Sequence, residues 1–177
     1  MKNILAFGAS SSANSINKTF ANYSSKQIPN SVTNLLDLND FEMPIFSIDK
    51  QKAKGIPKEA THFKRHISNC DAIIISFAEH NGSYTSAFKN ILDWTSRIER
   101  IVWCGKPMLL LSASDGERGA QLVLDTAFNR IKRENSDTLF KFSLKNFHST
   151  FDLEKGILDA ELNKMYKNVL MDFTKVI

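Results

Sequence analysis

The amino-acid sequence predicts an α/β domain in which a parallel sheet is covered by helices on both faces. Three observations carry that prediction. Short apolar runs alternate with amphipathic stretches along the whole 177 residues. Two runs, Asp71–Phe77 and Pro107–Ser112, are apolar at nearly every position, as strands buried on both faces are. The runs end in turns rich in Gly, Ser and Asn. Strands alternating with helices imply parallel pairing, and right-handed crossovers leave only a few doubly wound topologies.

The elements follow in order. Asn3–Gly8 reads as a buried strand, and Ser15–Lys26 as a helix with Ile16, Phe20 and Tyr23 on one face. Ser31–Leu38 is a second strand. Asn39–Lys54 reads as a long irregular loop carrying Phe41, Met43, Ile45 and Phe46, and long loops with apolar content are often functional. Pro57–Cys70 is a helix with Pro near its start. Asp71–Phe77 is the third strand and Ala78–Thr85 a polar turn. Ser86–Val102 is a helix with Ala87, Ile91, Trp94 and Ile98 in register. Pro107–Ser112 is a strand, Ser114–Gly119 a turn and Ala120–Lys132 a helix. Thr138–Leu144 alternates as a fifth strand does, and Leu158–Phe173 is an amphipathic closing helix. The whole, residues 1–177, is expected to be a single domain.

Composition narrows the partners. There are 23 Lys and Arg against 19 Asp and Glu, a mild excess of +4 spread along the chain. The basic runs His62–His66 and Arg130–Arg133 carry apolar residues at helical spacing, so they read as solvated helix faces and not as a nucleic-acid stripe. No stretch reaches the ~20 apolar residues of a membrane span. Cys70 and Cys104 form no CxxC pair, and no metal-ligand motif occurs. A cytoplasmic protein with reduced thiols is expected.

In doubly wound sheets, ligands bind beyond the carboxyl ends of the strands, where the strand order reverses. That rule selects three turns: Gly8–Asn17, Phe77–Thr85 and Ser112–Gly119. The first joins a strand to a helix N-terminus, whose free N–H groups and partial positive charge attract phosphate. It carries Ser10, Ser11, Ser12, Ser15, Asn14 and Asn17, and neither Lys nor Arg. The P-loop pattern fails for want of a Gly-Lys pair, and the GxGxxG pattern for want of glycines. The GxSxG elbow fails because Ser12 stands at its last glycine. What is left is a hydroxyl-rich loop suited to one terminal phosphate. The second turn offers Phe77, His80 and Tyr84 as ring-sized surface and Glu79, Asn81 and Ser83 as polar atoms. The third has Gly116 and Gly119, which allow close backbone approach.

Taken together these residues resemble the NAD(P)H-dependent FMN reductase family, the flavodoxin-like group that includes chromate, quinone and azo-dye reductases. Gly8–Asn17 is similar to its phosphate loop GSxRxxSxN, with Ser10, Ser15 and Asn17 on the Ser, Ser and Asn positions. Glu79, Asn81, Gly82 and Ser83 resemble PEYNGS; Lys89, Asn90, Asp93 and Trp94 resemble LKNaiDW; Phe151–Asp159 resembles FDxxGxLxD. Three positions depart from the pattern: Ser12 replaces the loop Arg, Ala78 the proline and His80 the tyrosine.

The resemblance implies a flavodoxin-like three-layer sandwich with a five-stranded parallel sheet. It implies FMN as cofactor, NADPH or NADH as co-substrate, and a small-molecule electron acceptor reached by way of the flavin N5. Ser10, Ser12, Ser15, Ile16 and Asn17 are the expected phosphate contacts. Phe77, Ala78, Glu79, His80, Asn81 and Gly82 are expected along the ring, and Ser112, Ser114 and Gly116 at its pyrimidine edge. No catalytic side chain is expected, because the cofactor performs the chemistry. A homodimer or homotetramer is implied, with Phe88, Trp94 and Trp103 on or beside the pairing helix and Phe41–Phe46 completing a neighbour's site. The residues alone leave three rivals open: an electron-carrier flavodoxin, an FMN-binding sensor, and a flavin-free hydrolase or glycosyl-transferring domain using Ser10 or Glu79.

Overall fold

Strand β1 (Lys2–Ala9) is apolar enough to lie inside the molecule, and its last six residues are all buried. The computed structural model describes residues 1–135 and 138–177. β1 is followed by α1 (Ile16–Lys26), β2 (Ser31–Leu36), a short 3-10 turn (Leu38–Phe41), α2 (Ile48–Lys54), α3 (Lys58–Asn69) and β3 (Ala72–Phe77). Next come the hairpin β4 (Glu79–His80) and β5 (Ser83–Tyr84), α4 (Ser86–Thr95), β6 (Met108–Ala113), α5 (Gln121–Ile131) and β7 (Leu139–Leu144). A short α6 (Phe147–Thr150), the hairpin β8 (Phe151–Asp152) and β9 (Gly156–Ile157), and α7 (Ala160–Lys175) close the chain.

The central sheet has the order β2-β1-β3-β6-β7, and all its pairs are parallel. This is the doubly wound order 2-1-3-4-5, with its reversal between β1 and β3. Side chains alternate across the strands, so each face builds its own core. Leu5 and Phe7 of β1 pack with Phe63 and Ile67 of α3 and with Phe88 and Ile91 of α4. Ile4 and Ala6 face the other way, toward Phe20 of α1 and Tyr166 and Phe173 of α7. Each buried aromatic or aliphatic side chain contributes roughly 1.5–3 kcal/mol over its exposed state.

Four expectations are corrected. The helix from Ser86 stops at Thr95, not at Val102. Its hydrophobic register continues, but Thr95 and Ser96 turn their hydroxyls onto the carbonyls of Ile91 and Asp93, at 2.7 and 2.8 Å, which competes with the helical ladder. Beyond it, Val102 N–H donates to the Glu134 carboxylate and the Ile101 and Val102 carbonyls accept from Lys64, so tertiary partners replace helical ones. The loop Asn39–Lys54 contains a 3-10 turn and a helix, capped by the side chains of Asp37 and Ser47. The turn Ala78–Thr85 is a hairpin around Asn81 and Gly82, at φ 52° and 74°, the positive pair a type I′ turn requires. Finally, α6 and the β8–β9 hairpin precede the closing helix.

The β8–β9 hairpin explains the Phe151–Asp159 segment. Phe151 is buried against Phe20, Tyr23 and Phe147. Asp152 accepts from the N–H groups of Glu154 and Lys155, at 2.9 and 2.8 Å, and closes the turn. Gly156 lies against the Tyr23 ring, where a Cβ would collide with it. Asp159 caps α7 by accepting from Leu162 N–H at 2.8 Å.

Candidate functional site

Three strand ends lie at one edge of the sheet: Ala9 of β1 is in register with Phe77 of β3, and Phe77 with Ser112 of β6, one residue before the strand ends at Ala113. The first turn leaves β1 so closely under α1 that a Cβ on Gly8 would stand 2.7 Å from Lys18 Cα and 2.9 Å from the Asn17 carbonyl carbon. Only glycine lets the strand pass there. Ser15 caps α1, its Oγ accepting from Lys18 N–H at 3.2 Å, and keeps its own hydroxyl hydrogen to donate. Ser10 Oγ accepts from Ser12 N–H at 3.1 Å, which curls the loop. Ser11, Ser12, Ala13 and Asn14 are exposed. The N–H groups of Ile16 and Asn17, in the first turn of α1, have no partner among the described residues. Free donors at a helix N-terminus are what a phosphate requires.

Asn17 does something that spacing could not reveal. Its side chain is 3% exposed and points inward. Its Oδ1 accepts from Ser76 Oγ at 2.7 Å and from Ala113 N–H at 2.9 Å, and its Nδ2 donates to Ala113 O at 3.1 Å. One amide thus ties the first turn to β3 and to the root of the third turn. Thr85 adds a second tie: its Oγ1 donates to Ala9 O at 2.9 Å while accepting from Phe88 N–H as the cap of α4. Ser76 and Thr85 were not among the expected site residues. A lone hydroxyl inside Ala-Ile-Ile-Ile-Ser-Phe must find a partner once buried, and that was the available signal for Ser76.

In the second turn, the structure separates the expected ring contacts. The Phe77 ring is fully buried against Tyr84 and Phe88, so it belongs to the core and offers no surface to a ligand. Burial also pushes the Tyr84 phenol up to about 12. Ala78 and Gly82 are half-buried, and His80 and Asn81 are exposed. Glu79 accepts from Val123 N–H at 3.0 Å. Ala120, which precedes α5, lies in the left-handed region and offers no side-chain cap, so Glu79 places a negative charge where the helix dipole favours one.

In the third turn, Ser112 is fully buried and donates to Gly119 O at 2.6 Å, so its hydroxyl serves the turn itself. Ser143 donates to the same carbonyl at 2.8 Å. Gly119 has φ 58°, with Lys145 N only 3.1 Å from where a Cβ would stand. Ser114 is half-buried, and Gly116, Asp115 and Arg118 are exposed. Asp115 is held by His148, whose N–H and Nε2 each lie 3.2 Å from its carboxylate.

Beside the first turn lies a cavity of about 330 Å³ lined by Ser11, Phe41, Met43, Ile45, Ala87 and Asn90, among others. Asn90 accepts from Phe46 N–H at 2.9 Å and donates to Met43 O at 3.0 Å; Trp94 Nε1 donates to Pro44 O at 2.7 Å. Through these bonds the helix residues Asn90 and Trp94 hold the apolar loop against α4. Trp94, Phe88 and Trp103 are at most 2% exposed, so they are core residues of this chain and not a pairing surface. Lys18, the basic residue that follows the loop in sequence, is paired with Asp37 just past the end of β2.

A parallel sheet in the order 2-1-3-4-5, with unpartnered helix N-terminal donors at its switch point, defines a flavodoxin-like protein. The family model for NADPH-dependent FMN reductase matches residues 2–133, and the chain belongs to that family. It is 25% identical over 150 residues, 82% of this chain and 72% of the relative, to a rice protein named "Probable NADPH:quinone oxidoreductase 2". It is 28% identical over 133 residues, 72% of this chain and 70% of the relative, to an NAD(P)H-dependent FMN reductase of Pseudomonas aeruginosa. Among solved structures, the flavoenzyme FerB, an NAD(P)H:acceptor oxidoreductase of Paracoccus denitrificans, superposes with a TM-score of 0.77 at 21% identity, covering 99% of this chain and 96% of its own, which shows the shared fold. Membership of this family decides for a reductase over the hydrolase and carrier readings. No helix among the described residues is long and apolar enough to cross a membrane.

Proposed function

We propose that the three turns hold FMN at the carboxyl edge of the sheet and that the enzyme delivers electrons from NAD(P)H to quinone-type acceptors. FMN, when bound, would supply the redox chemistry, hydride transfer between the nicotinamide and the acceptor. The observation that carries this reading is the first turn, a lysine-free bend whose exposed serines and unpaired Ile16 and Asn17 N–H groups fit a single phosphate.

The chain's own residues then divide the work. Ser10, Ser12 and Ser15 donate hydroxyls to the phosphate, and Ile16 and Asn17 donate backbone N–H groups. Asn17 also acts through its side chain as a clamp, keeping the phosphate bend and the third turn at a fixed separation. Ala78–Gly82 lines the ring by backbone and short side chains, with Glu79 bracing the segment against α5. Ser114 and Gly116 meet the pyrimidine edge, while Ser112 shapes the turn that presents them. Quinone-type acceptors are proposed from the name of the rice relative.

A homodimer is part of the same proposal. Ile45 and Ile48 are 77% and 56% exposed beside the cavity, which supports a second copy covering this rim. Two free cysteines support a reducing, cytoplasmic setting.

The test is a visible absorption spectrum of the purified protein with FMN, taken without oxygen before and after NADPH. A bound flavin spectrum that bleaches on NADPH and returns on adding a quinone is the expected result. FMN that passes through a desalting column unretained would remove the site assignment.

A further inference from the structure

Away from the flavin site, the connection between α4 and β6 holds a cysteine against a buried lysine. Lys64, on the inner face of α3, is only 6% exposed. Its Nζ donates to Val102 O at 2.6 Å and Ile101 O at 3.2 Å, and pairs with Glu99 Oε2 at 2.7 Å. The Cys104 sulfur lies 3.1 Å from the same nitrogen. An ammonium has three hydrogens and here meets four acceptors, of which a thiol sulfur is the weakest. The sulfur is thus held in contact with a nitrogen whose hydrogens have better partners.

The placement is built by a tight turn. Cys104 and Gly105, at φ 54° and 65°, form the centre of a type I′ turn closed by Lys106 N–H onto Trp103 O at 3.1 Å. Cys104 is half-buried, so small oxidants reach it. Cys70 offers the contrast: it is buried, its Sγ donates to Ile67 O at 3.2 Å, and burial pushes its thiol up to about 11. Reactive cysteines sit in partly exposed sites next to cations, and buried ones are inert.

We propose that Cys104 and Lys64 form a redox-responsive pair that takes up one oxygen atom as a covalent sulfur–oxygen–nitrogen link. Hydrogen peroxide is the oxidant. In the first step the thiol and one peroxide give the sulfenic acid and one water, the S–H and O–O bonds breaking as S–O forms. In the second, the sulfenic acid, the Lys64 amine and a second peroxide give the S–O–N link and two waters. Sulfur and nitrogen are oxidised and both peroxides are reduced. Glu99, 2.7 Å from Nζ, accepts the ammonium proton that must leave before nitrogen forms the bond. Four equivalents of an added thiol reverse the link, returning thiol, amine and water as they are oxidised to two disulfides.

The experiment treats the FMN-loaded protein with hydrogen peroxide, digests it without reductant and maps peptides by mass spectrometry. The expected product joins the Lys64 and Cys104 peptides with a gain of one oxygen and a loss of two hydrogens. Dithiothreitol removes it, and Cys70 stays a thiol throughout. In Lys64→Gln the intermediate accumulates, so dimedone labels Cys104. Cys104 oxidised to sulfinic acid with no joined peptide, or Cys70 oxidised first, would overturn the proposal. The wild-type map decides alone if Lys64→Gln does not fold.

Discussion

The first and third turns are joined by a single asparagine, yet they use their serines in opposite ways. In the first, Ser11 and Ser12 are exposed and Ser15 keeps a hydrogen to give away while it caps α1. In the third, Ser112 is fully buried and closed on Gly119 O. The contrast teaches that hydroxyl content alone does not mark a binding loop. A hydroxyl contributes to binding when the fold leaves it a free valence, and to turn geometry when it does not. Under the proposed function, the first turn would recognise by donation, and the third by holding backbone in place for a ring edge.

The largest expected effect is at the asparagine that couples them. Asn17→Ala leaves the Ser76 hydroxyl and both backbone groups of Ala113 buried without partners. At about 1–3 kcal/mol for each of these three groups, the loss is at least on the order of 3 kcal/mol. Urea denaturation should show the drop in the apo protein, before any ligand is added. A midpoint equal to wild type would mean the two turns are not coupled through this side chain.

Gly8→Ala comes next. The methyl group has to displace the backbone of α1 at Asn17 and Lys18, not a flexible side chain. Overpacking of this kind costs about 1–3 kcal/mol. Because the shift moves the α1 N-terminus, FMN retention on a desalting column should fall together with the thermal midpoint. Stability lost with retention intact would place the phosphate elsewhere.

Ser12→Arg tests donation directly. The residue is exposed, so the change asks little of the fold. A charge-assisted bond to phosphate should tighten FMN by about tenfold, or ~1.4 kcal/mol. Equilibrium dialysis reads it, and an unchanged affinity would show that position 12 does not face the phosphate.

The smallest effect is electrostatic. The Lys18 ammonium holds the Asp37 carboxyl below its usual range. A carboxylate with a depressed folded pKa stabilises above the unfolded value, ~3.9, and loses that contribution as pH falls through the folded one. The pair is part-exposed, so its worth is about 0.5 kcal/mol. The stability gap between wild type and Asp37→Asn should be full near neutral pH and close in acid; a gap that persists at pH ~2 would assign it to packing.

Much of this was legible in the order of residues. Five strands, their parallel arrangement and the three post-strand turns follow from apolar periodicity and from Gly, Ser and Asn at the breaks, which are local properties. The Ser15 cap and the hydroxyl-lined bend are local too. The hairpin at Asn81-Gly82 is local as well, because that dipeptide favours type I′ turns.

Partner choice was not legible, because it depends on which groups meet across the fold. Asn17 reaches Ala113, 96 residues away, and Glu79 reaches Val123, 44 away. Neither distance leaves a periodic trace. The same holds for the end of α4: hydrophobic register carried the predicted helix to Val102, while Lys64 and Glu134 drew that backbone into other bonds. Periodicity records which face of an element is apolar. It does not record which buried hydrogen bond a polar side chain will complete, and that three-dimensional pairing made Asn17 a clamp, Phe77 a core residue and Ser112 a brace.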